Sequence, residues 1–307
     1  MIQGMYLIQN AARSEFIPIR HLSYHVLQWG TPAADKTPLV MLHGWMDVAA
    51  SFQFVVDALA QDHWVIAPDW RGFGLTETPN TDNFWFPDYL ADLDQVLDHY
   101  VGDRPVNLMG HSMGGHVATL FAGVRPERIH RLINLEGFGL PTTRPAQAPS
   151  RLAKWMDELK AFNRGEMDLK PYANLEAVAQ RLMKTNPRLG ADKAHWLAQH
   201  WANANTHGEW RILGHAAHKV VSAQLFKADE AQAIYERITA PMLCVVASDD
   251  SIQQWWKDSY SLAEFKQRIS VVRNLTHATI EDAGHMLHHD QPEQLAQLIE
   301  DFLALDR

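Results

Sequence analysis

The sequence predicts an α/β fold with a mostly parallel sheet flanked by helices, and three observations carry that expectation. Short apolar runs at Leu39–Leu42, Trp64–Ala67 and Val106–Met109 each stop at a glycine, proline or polar residue, as buried strands do. Amphipathic stretches separate them; from Tyr89 to Tyr100, residues Leu90, Leu93 and Leu97 fall on one helical face. After a long break the strand pattern resumes at Pro241–Ala247. Alternation of this kind is the signature of strand–helix–strand units.

Taken in order, Phe16–Arg20 and His21–Trp29 read as an antiparallel hairpin at the sheet edge, and the alternating units follow up to residue 139. Pro141, Pro145 and Pro149 then change the texture. Residues 140–235 read as a wholly helical insertion. Leu152, Trp155, Met156, Leu159 and Phe162 share one face, Leu175, Val178, Leu182 and Met183 another, and a third helix carries Trp196, Leu197, His200 and Trp201. Core residues 1–139 and 236–307 thus enclose an insertion at 140–235. A last strand is expected at Ala278–Glu281, and Pro292 opens a closing helix with Leu295, Leu298, Ile299, Phe302 and Leu303 inward.

Composition excludes several classes. The chain has 307 residues, 47% apolar and 21% charged, which is enough to bury a sizeable core and speaks against disorder. Its 36 acids outweigh 27 bases, so a basic nucleic-acid footprint is not expected. No apolar run reaches membrane-spanning length, and the start from Met1 to Ile8 lacks the features of a secretory signal. Cys244 is the only cysteine, which excludes an intrachain disulfide and points to a reducing, cytoplasmic setting.

The chemistry concentrates at Gly110-His111-Ser112-Met113-Gly114, between a strand and a helical pattern. A G-x-S-x-G turn there is a nucleophile elbow: small neighbours permit a tight turn, and the next helix aims its N-terminus at the serine oxygen. The competing reading is a glycine-rich turn with an idle serine. Three further motifs stand in order: His43-Gly44-Trp45-Met46-Asp47, Asp69-Trp70-Arg71-Gly72-Phe73-Gly74, and Ala283-Gly284-His285 followed by Pro292. Together they resemble the α/β-hydrolase family, and the likeness runs from about Ser23 to the C-terminus.

That resemblance implies a fold with a helical cap inserted after the sixth strand. It implies Ser112 as nucleophile, His285 as base, and an oxyanion hole from the backbone N–H groups of Trp45 and Met113. Gly44 would let the backbone approach closely. The acid follows serine in the family's usual order, after the strand beyond the cap. Laid on that pattern, Ala247 takes the glycine place and Asp250 the acid place, with Asp249 beside it. Members that draw the acid from the preceding strand leave Glu136 as the remaining contender. Serine at the elbow, rather than aspartate, argues against the related dehalogenases and epoxide hydrolases.

The expected reaction is cleavage of a small or medium carboxylic ester through an acyl-enzyme, without a cofactor. Alternatives on the same triad are thioester or carbon–carbon bond hydrolysis, or a weakly catalytic ligand receptor. No metal site is expected, because His285, His288 and His289 lack the H-E-x-x-H arrangement, and His215 with His218 has no further ligand at a suggestive spacing. His111 and His43 read as packing residues, and Asp69 and Arg71 as loop braces. Trp155, Trp196, Trp201 and Trp210 read as cap core, with at least one at the pocket. The insertion holds 13 Lys/Arg against 9 Asp/Glu in a chain of net charge −9, an asymmetry that would steer anionic substrates.

Overall fold

In the computed structural model, which describes residues 4–33 and 36–305, eight strands form one sheet. Of the stretch read for a leader, residues 1–3 lie outside the described residues. The large sheet contains β1 (Arg13–Ile19), β2 (Leu22–Trp29), β3 (Leu39–Leu42), β4 (Val65–Pro68), β5 (Val106–His111) and β6 (Ile129–Leu135). A separate two-stranded hairpin, β7 (Ala202–Ala204) and β8 (Trp210–Ile212), lies in the insertion, and β9 (Met242–Ala247) and β10 (Leu275–Ile280) complete the large sheet. Its order is β1-β2-β4-β3-β5-β6-β9-β10, antiparallel as far as β4 and parallel beyond it.

Helices alternate with these strands: α1 (Gln53–Ala58), α2 (Pro87–Val101), α3 (Met113–Val124), α4 (Ala148–Asn163), α5 (Leu175–Thr185), α6 (Ala191–Trp201) and α7 (Ala228–Tyr235). The remainder are α8 (Ser251–Trp256), α9 (Leu262–Ile269), α10 (Leu287–Asp290) and α11 (Pro292–Ala304). Parallel strands are covered on both faces, so their side chains divide between two cores. In β3, Val40 and Leu42 belong to the core that also takes in α2, α3 and α9, while Leu39 and Met41 belong to the core that takes in α1 and α11. β9 repeats the alternation, with Met242, Cys244 and Val246 on one side and Leu243, Val245 and Ala247 on the other. This is why the strands read as continuous apolar runs.

The insertion departs from the wholly helical expectation in two ways. Its chain turns back at β7–β8, antiparallel strands too short to give a periodic signal. α4 also leaves its apolar face only partly covered: Trp155, Leu159 and Phe162 are half-buried, while Leu152 and Met156 are 45% and 50% exposed. α5 and α6 do bury their faces, in a third core where Val178, Leu182 and Leu197 meet Phe54 and Val48. α7 joins the main core through Ala231 and Tyr235, against α3. Among the described residues no helix is long and apolar enough to cross a membrane.

Candidate active site

β5 runs directly into α3 through Ser112, and the turn forces the serine into φ 52°, ψ −119°. A non-glycine residue there stores roughly 1–3 kcal/mol of backbone strain, held by its surroundings. The Ser112 amide donates to the Leu135 carbonyl at 2.8 Å, and the Ser112 carbonyl accepts from the His116 amide at 3.0 Å. Small neighbours are obligatory: a Cβ on Gly110 would sit 2.2 Å from the Gly114 carbonyl oxygen. Ser112 occupies the N-cap position of α3 without using its hydroxyl as a cap. The oxygen is left for other partners, beside a helix N-terminus that favours negative charge.

His285 lies on the loop after β10 and lines the same cavity as Ser112. Its Nδ1 is hydrogen-bonded to Glu136 Oε2 at 3.1 Å. Glu136 is the first residue past β6, 2% exposed and itself at φ 53°. Its amide donates to the Val245 carbonyl at 3.0 Å, and its Oε1 accepts from the Ala247 amide at 2.8 Å. Both carboxylate oxygens are thus engaged, and the side chain is fixed. Burial lowers the His285 pKa below the ordinary 6.5, with Glu136 working against that shift. The imidazole is neutral at pH 7, the state a general base needs.

The acid place expected after β9 is occupied differently. Asp250 is exposed and caps α8, its Oδ1 accepting from the Gln253 amide at 2.9 Å. Asp249 forms an ion pair with Arg188 at 2.7 Å. The carboxylate on His285 comes from the neighbouring strand because β9 leads straight into a helix whose first free amides claim Asp250. The Ala247 amide, at the tip of β9, donates to Glu136 instead.

Opposite the elbow, the loop after β3 brings Gly44 against the serine; a Cβ on Gly44 would lie 3.1 Å from Ser112 Cβ. Trp45 and Met113 both line the cavity. Met113 opens α3, where backbone amides have no acceptor within the helix. His43 holds this loop, with Nδ1 bonded to the Gly44 carbonyl and Nε2 accepting from the Trp70 amide. Asp69 accepts from the Ala49 and Leu75 amides, and Arg71 makes a buried two-pronged pair with Asp92 at 2.6 and 2.7 Å. These three residues brace the loops and line no part of the cavity.

His111 does more than pack. Its Nε2 donates to the His285 carbonyl at 2.7 Å, tying the elbow to the histidine loop. Trp255 stands edge-on to the His285 ring, with centroids 4.0 Å apart. Neither contact carries a motif. The cavity has a volume of about 1240 Å³ and is walled by Phe86, Phe138, Leu140, Phe226, Ile234 and Trp255. Of the four insertion tryptophans weighed from sequence, Trp201 lines it. The bases Arg151, Arg181 and Lys227 also reach its wall, and Lys227 is paired with Glu230.

A strained serine at a strand–helix elbow, with a half-buried histidine bonded to a buried carboxylate on the same cavity, is the site layout of an α/β hydrolase. Residues 37–292 match the profile of the alpha/beta hydrolase fold, and the chain belongs to that family. A serine hydrolase-like protein from Danio rerio is 25% identical over 95% of this chain and 89% of its own. A second, from Dictyostelium discoideum, is 26% identical over 90% of this chain and 77% of its own. Among solved structures, the thioesterase domain from a curacin biosynthetic pathway superposes with a TM-score of 0.81 at 24% identity, covering 95% of this chain and 100% of that one. The chain is a hydrolase of this fold.

Proposed function

We propose that the chain cleaves carboxylic esters with a large apolar portion, using Ser112 as nucleophile, His285 as base and Glu136 as the acid. The observation that carries this reading is the hydrogen bond that His285 Nδ1 donates to the Glu136 carboxylate beside the Ser112 elbow. In the acylation step Ser112 Oγ attacks the ester carbonyl carbon while His285 Nε2 takes the hydroxyl proton. The carbonyl oxygen becomes an oxyanion, received by the amides of Met113 and Trp45. The intermediate collapses, the carbon–oxygen bond to the alcohol breaks, and His285 returns the proton to the departing oxygen. Water then attacks the acyl-serine with the same histidine as base, releasing the acid and restoring Ser112. Glu136 keeps the Nδ1 proton in place and stabilises the imidazolium formed in each half. No step needs a cofactor.

The apolar wall supports the substrate class, since its volume exceeds the roughly 300–1,000 Å³ usual for small-molecule sites. α4 to α6 act as the cap in this reading, and the lone, buried Cys244 fits a cytoplasmic setting. The likeness to a thioesterase domain keeps thioesters as the second reading, on the same acyl-enzyme chemistry. A fluorophosphonate probe should label Ser112 in the wild-type chain. Matched ester and thioester series of increasing acyl length should then show kcat/KM rising with chain length. Absence of labelling in folded protein overturns the nucleophile. A preference for the shortest acyl groups overturns the substrate class, and a large thioester preference selects the second reading.

A further inference from the structure

Behind the histidine loop three buried side chains from distant parts of the sequence converge: Asp47 after β3, His111 at the end of β5, and His288 in α10. One ligand atom from each lies within 4.8 Å of the others. The three residues are 4%, 1% and 0% exposed. Each has an atom without a hydrogen-bond partner: Asp47 Oδ2, His111 Nδ1, and both ring nitrogens of His288. Buried polar atoms in that condition are rare, because an unmade hydrogen bond costs about 1–3 kcal/mol. Here three such side chains face one another with donor atoms close enough to share one ion.

The other atoms of the cluster show what it can hold. His111 Nε2 donates to the His285 carbonyl, so its Nδ1 carries a lone pair. A ring that donates one N–H to a carbonyl and presents the other nitrogen bare is the usual arrangement of a metal-bound histidine. Asp47 Oδ1 accepts from Ser51 Oγ and from Trp201 Nε1, which orients the carboxylate and turns Oδ2 toward His288 Nε2 at a long ion-pair distance of 3.9 Å. The set is therefore one anionic oxygen and two imidazole nitrogens. Imidazole ligands select zinc and its transition-metal neighbours over magnesium or calcium, which take oxygen. Bonds of about 2.0–2.2 Å to zinc require the donors to close inward by roughly an ångström. Asp47 and His111 also line the main cavity, which supplies an entry path.

We propose that Asp47, His111 and His288 form a buried site for one divalent transition-metal ion, with Zn²⁺ the best fit, and that its occupation inhibits the neighbouring active site. The inhibition follows from position and rests on the hydrolase reading; the binding does not. His111 pins the backbone of His285, and drawing His111 toward an ion moves that pin. A displacement of about an ångström at a catalytic group costs on the order of 10²-fold in rate.

The test uses the full chain, stripped with a chelator. Zn²⁺ is titrated by calorimetry, and Co²⁺ serves as a spectroscopic probe whose visible absorption reports nitrogen ligation and low coordination number. The expected result is one ion per chain, a Co²⁺ band displaced by Zn²⁺, and at least tenfold slower ester turnover that EDTA restores. Asp47→Asn keeps an oxygen for Trp201 and Ser51 but loses the charge; His288→Phe keeps a ring of similar shape. Each should weaken binding by more than about tenfold, the loss that even outer-shell changes cause. Circular dichroism identifies a variant that fails to fold, and the other then decides. Absence of stoichiometric binding overturns the site, as does binding that survives the substitutions. Full occupation with unchanged turnover overturns the inhibition. Because calorimetry and absorption do not depend on turnover, failure of the ester reading is distinguishable from failure of the metal site.

Discussion

The tips of β6 and β9 are neighbours in the sheet, and each is followed within three residues by a carboxylate, yet Glu136 and Asp250 live in opposite surroundings. Glu136 is sealed from solvent, held at positive φ, and has both oxygens bonded, one of them to His285. Asp250 is exposed and spends one oxygen on the first turn of a helix. Sealing strengthens an electrostatic interaction and fixes its geometry, whereas exposure screens it and makes the group replaceable. The comparison teaches that position after a strand does not by itself bring a carboxylate to the histidine. What matters is which strand tip lies under the imidazole.

The largest effect sets the scale for judging these carboxylates. Ser112→Ala should lower kcat by something on the order of 10⁶, leaving only binding and oxyanion stabilisation. Against that ceiling, Glu136→Gln should lower kcat by about 10⁴, because the amide donates to Nδ1 and moves the imidazole proton to Nε2, where no base remains. Asp250→Asn should leave kcat near wild type. Steady-state kinetics on one activated ester with all three variants decides the matter, and a larger loss from Asp250→Asn than from Glu136→Gln breaks the assignment.

The legible and illegible parts of the site divide along the same line. Ser112 and its glycines were readable because the elbow is local: five consecutive residues must satisfy one turn. β3, β4, β5 and β9 were readable because burial on both faces writes a nearly continuous apolar run into each. The carboxylate that meets His285 was only one of three candidates, since Glu136 and His285 are 149 positions apart and meet through the lateral order of β6, β9 and β10. Even so, a signal lay in the departure from pattern. Ala247 stands where the family motif asks for glycine, and its amide is bonded to Glu136. The β7–β8 hairpin was hidden because Ala202-Asn203-Ala204 has weak strand propensity and pairs only with Trp210–Ile212. Trp201 could not be singled out among four tryptophans, as facing the cavity depends on how α6 docks rather than on its period.

A pH profile sharpens the comparison through His285. Burial holds its pKa below the ordinary 6.5, and Glu136 opposes the shift by stabilising the protonated ring. Activity requires the neutral imidazole, so the acid limb of kcat/KM should fall at a pH below 6.5 in the wild-type chain. Removing the Glu136 charge removes the opposing contribution, and the limb of the residual Glu136→Gln activity should move further toward acid. Asp250→Asn should leave the limb in place. A limb that moves toward alkali in Glu136→Gln, or that shifts in Asp250→Asn, would contradict this charge arrangement.

The smallest expected effect tests what Asp250 does instead. As the N-cap of α8 it accepts from the Gln253 amide, satisfying one of the backbone donors that a helix start leaves free. Replacing such a cap with alanine costs about 1 kcal/mol, while asparagine, an equally good cap, costs little. Asp250→Ala should therefore lower unfolding stability in a denaturant titration by about that amount, and Asp250→Asn should not. The activity of Asp250→Ala is the discriminating companion measurement. α8 carries Trp255, which stands over the His285 ring, so loosening its first turn should weaken that contact and reduce kcat modestly, with the acid limb unmoved. A capping role predicts that asparagine restores both stability and rate, because only the hydrogen bond is needed. If asparagine restored stability but not rate, the negative charge itself would be at work, and Asp250 would have to be returned to the catalytic machinery.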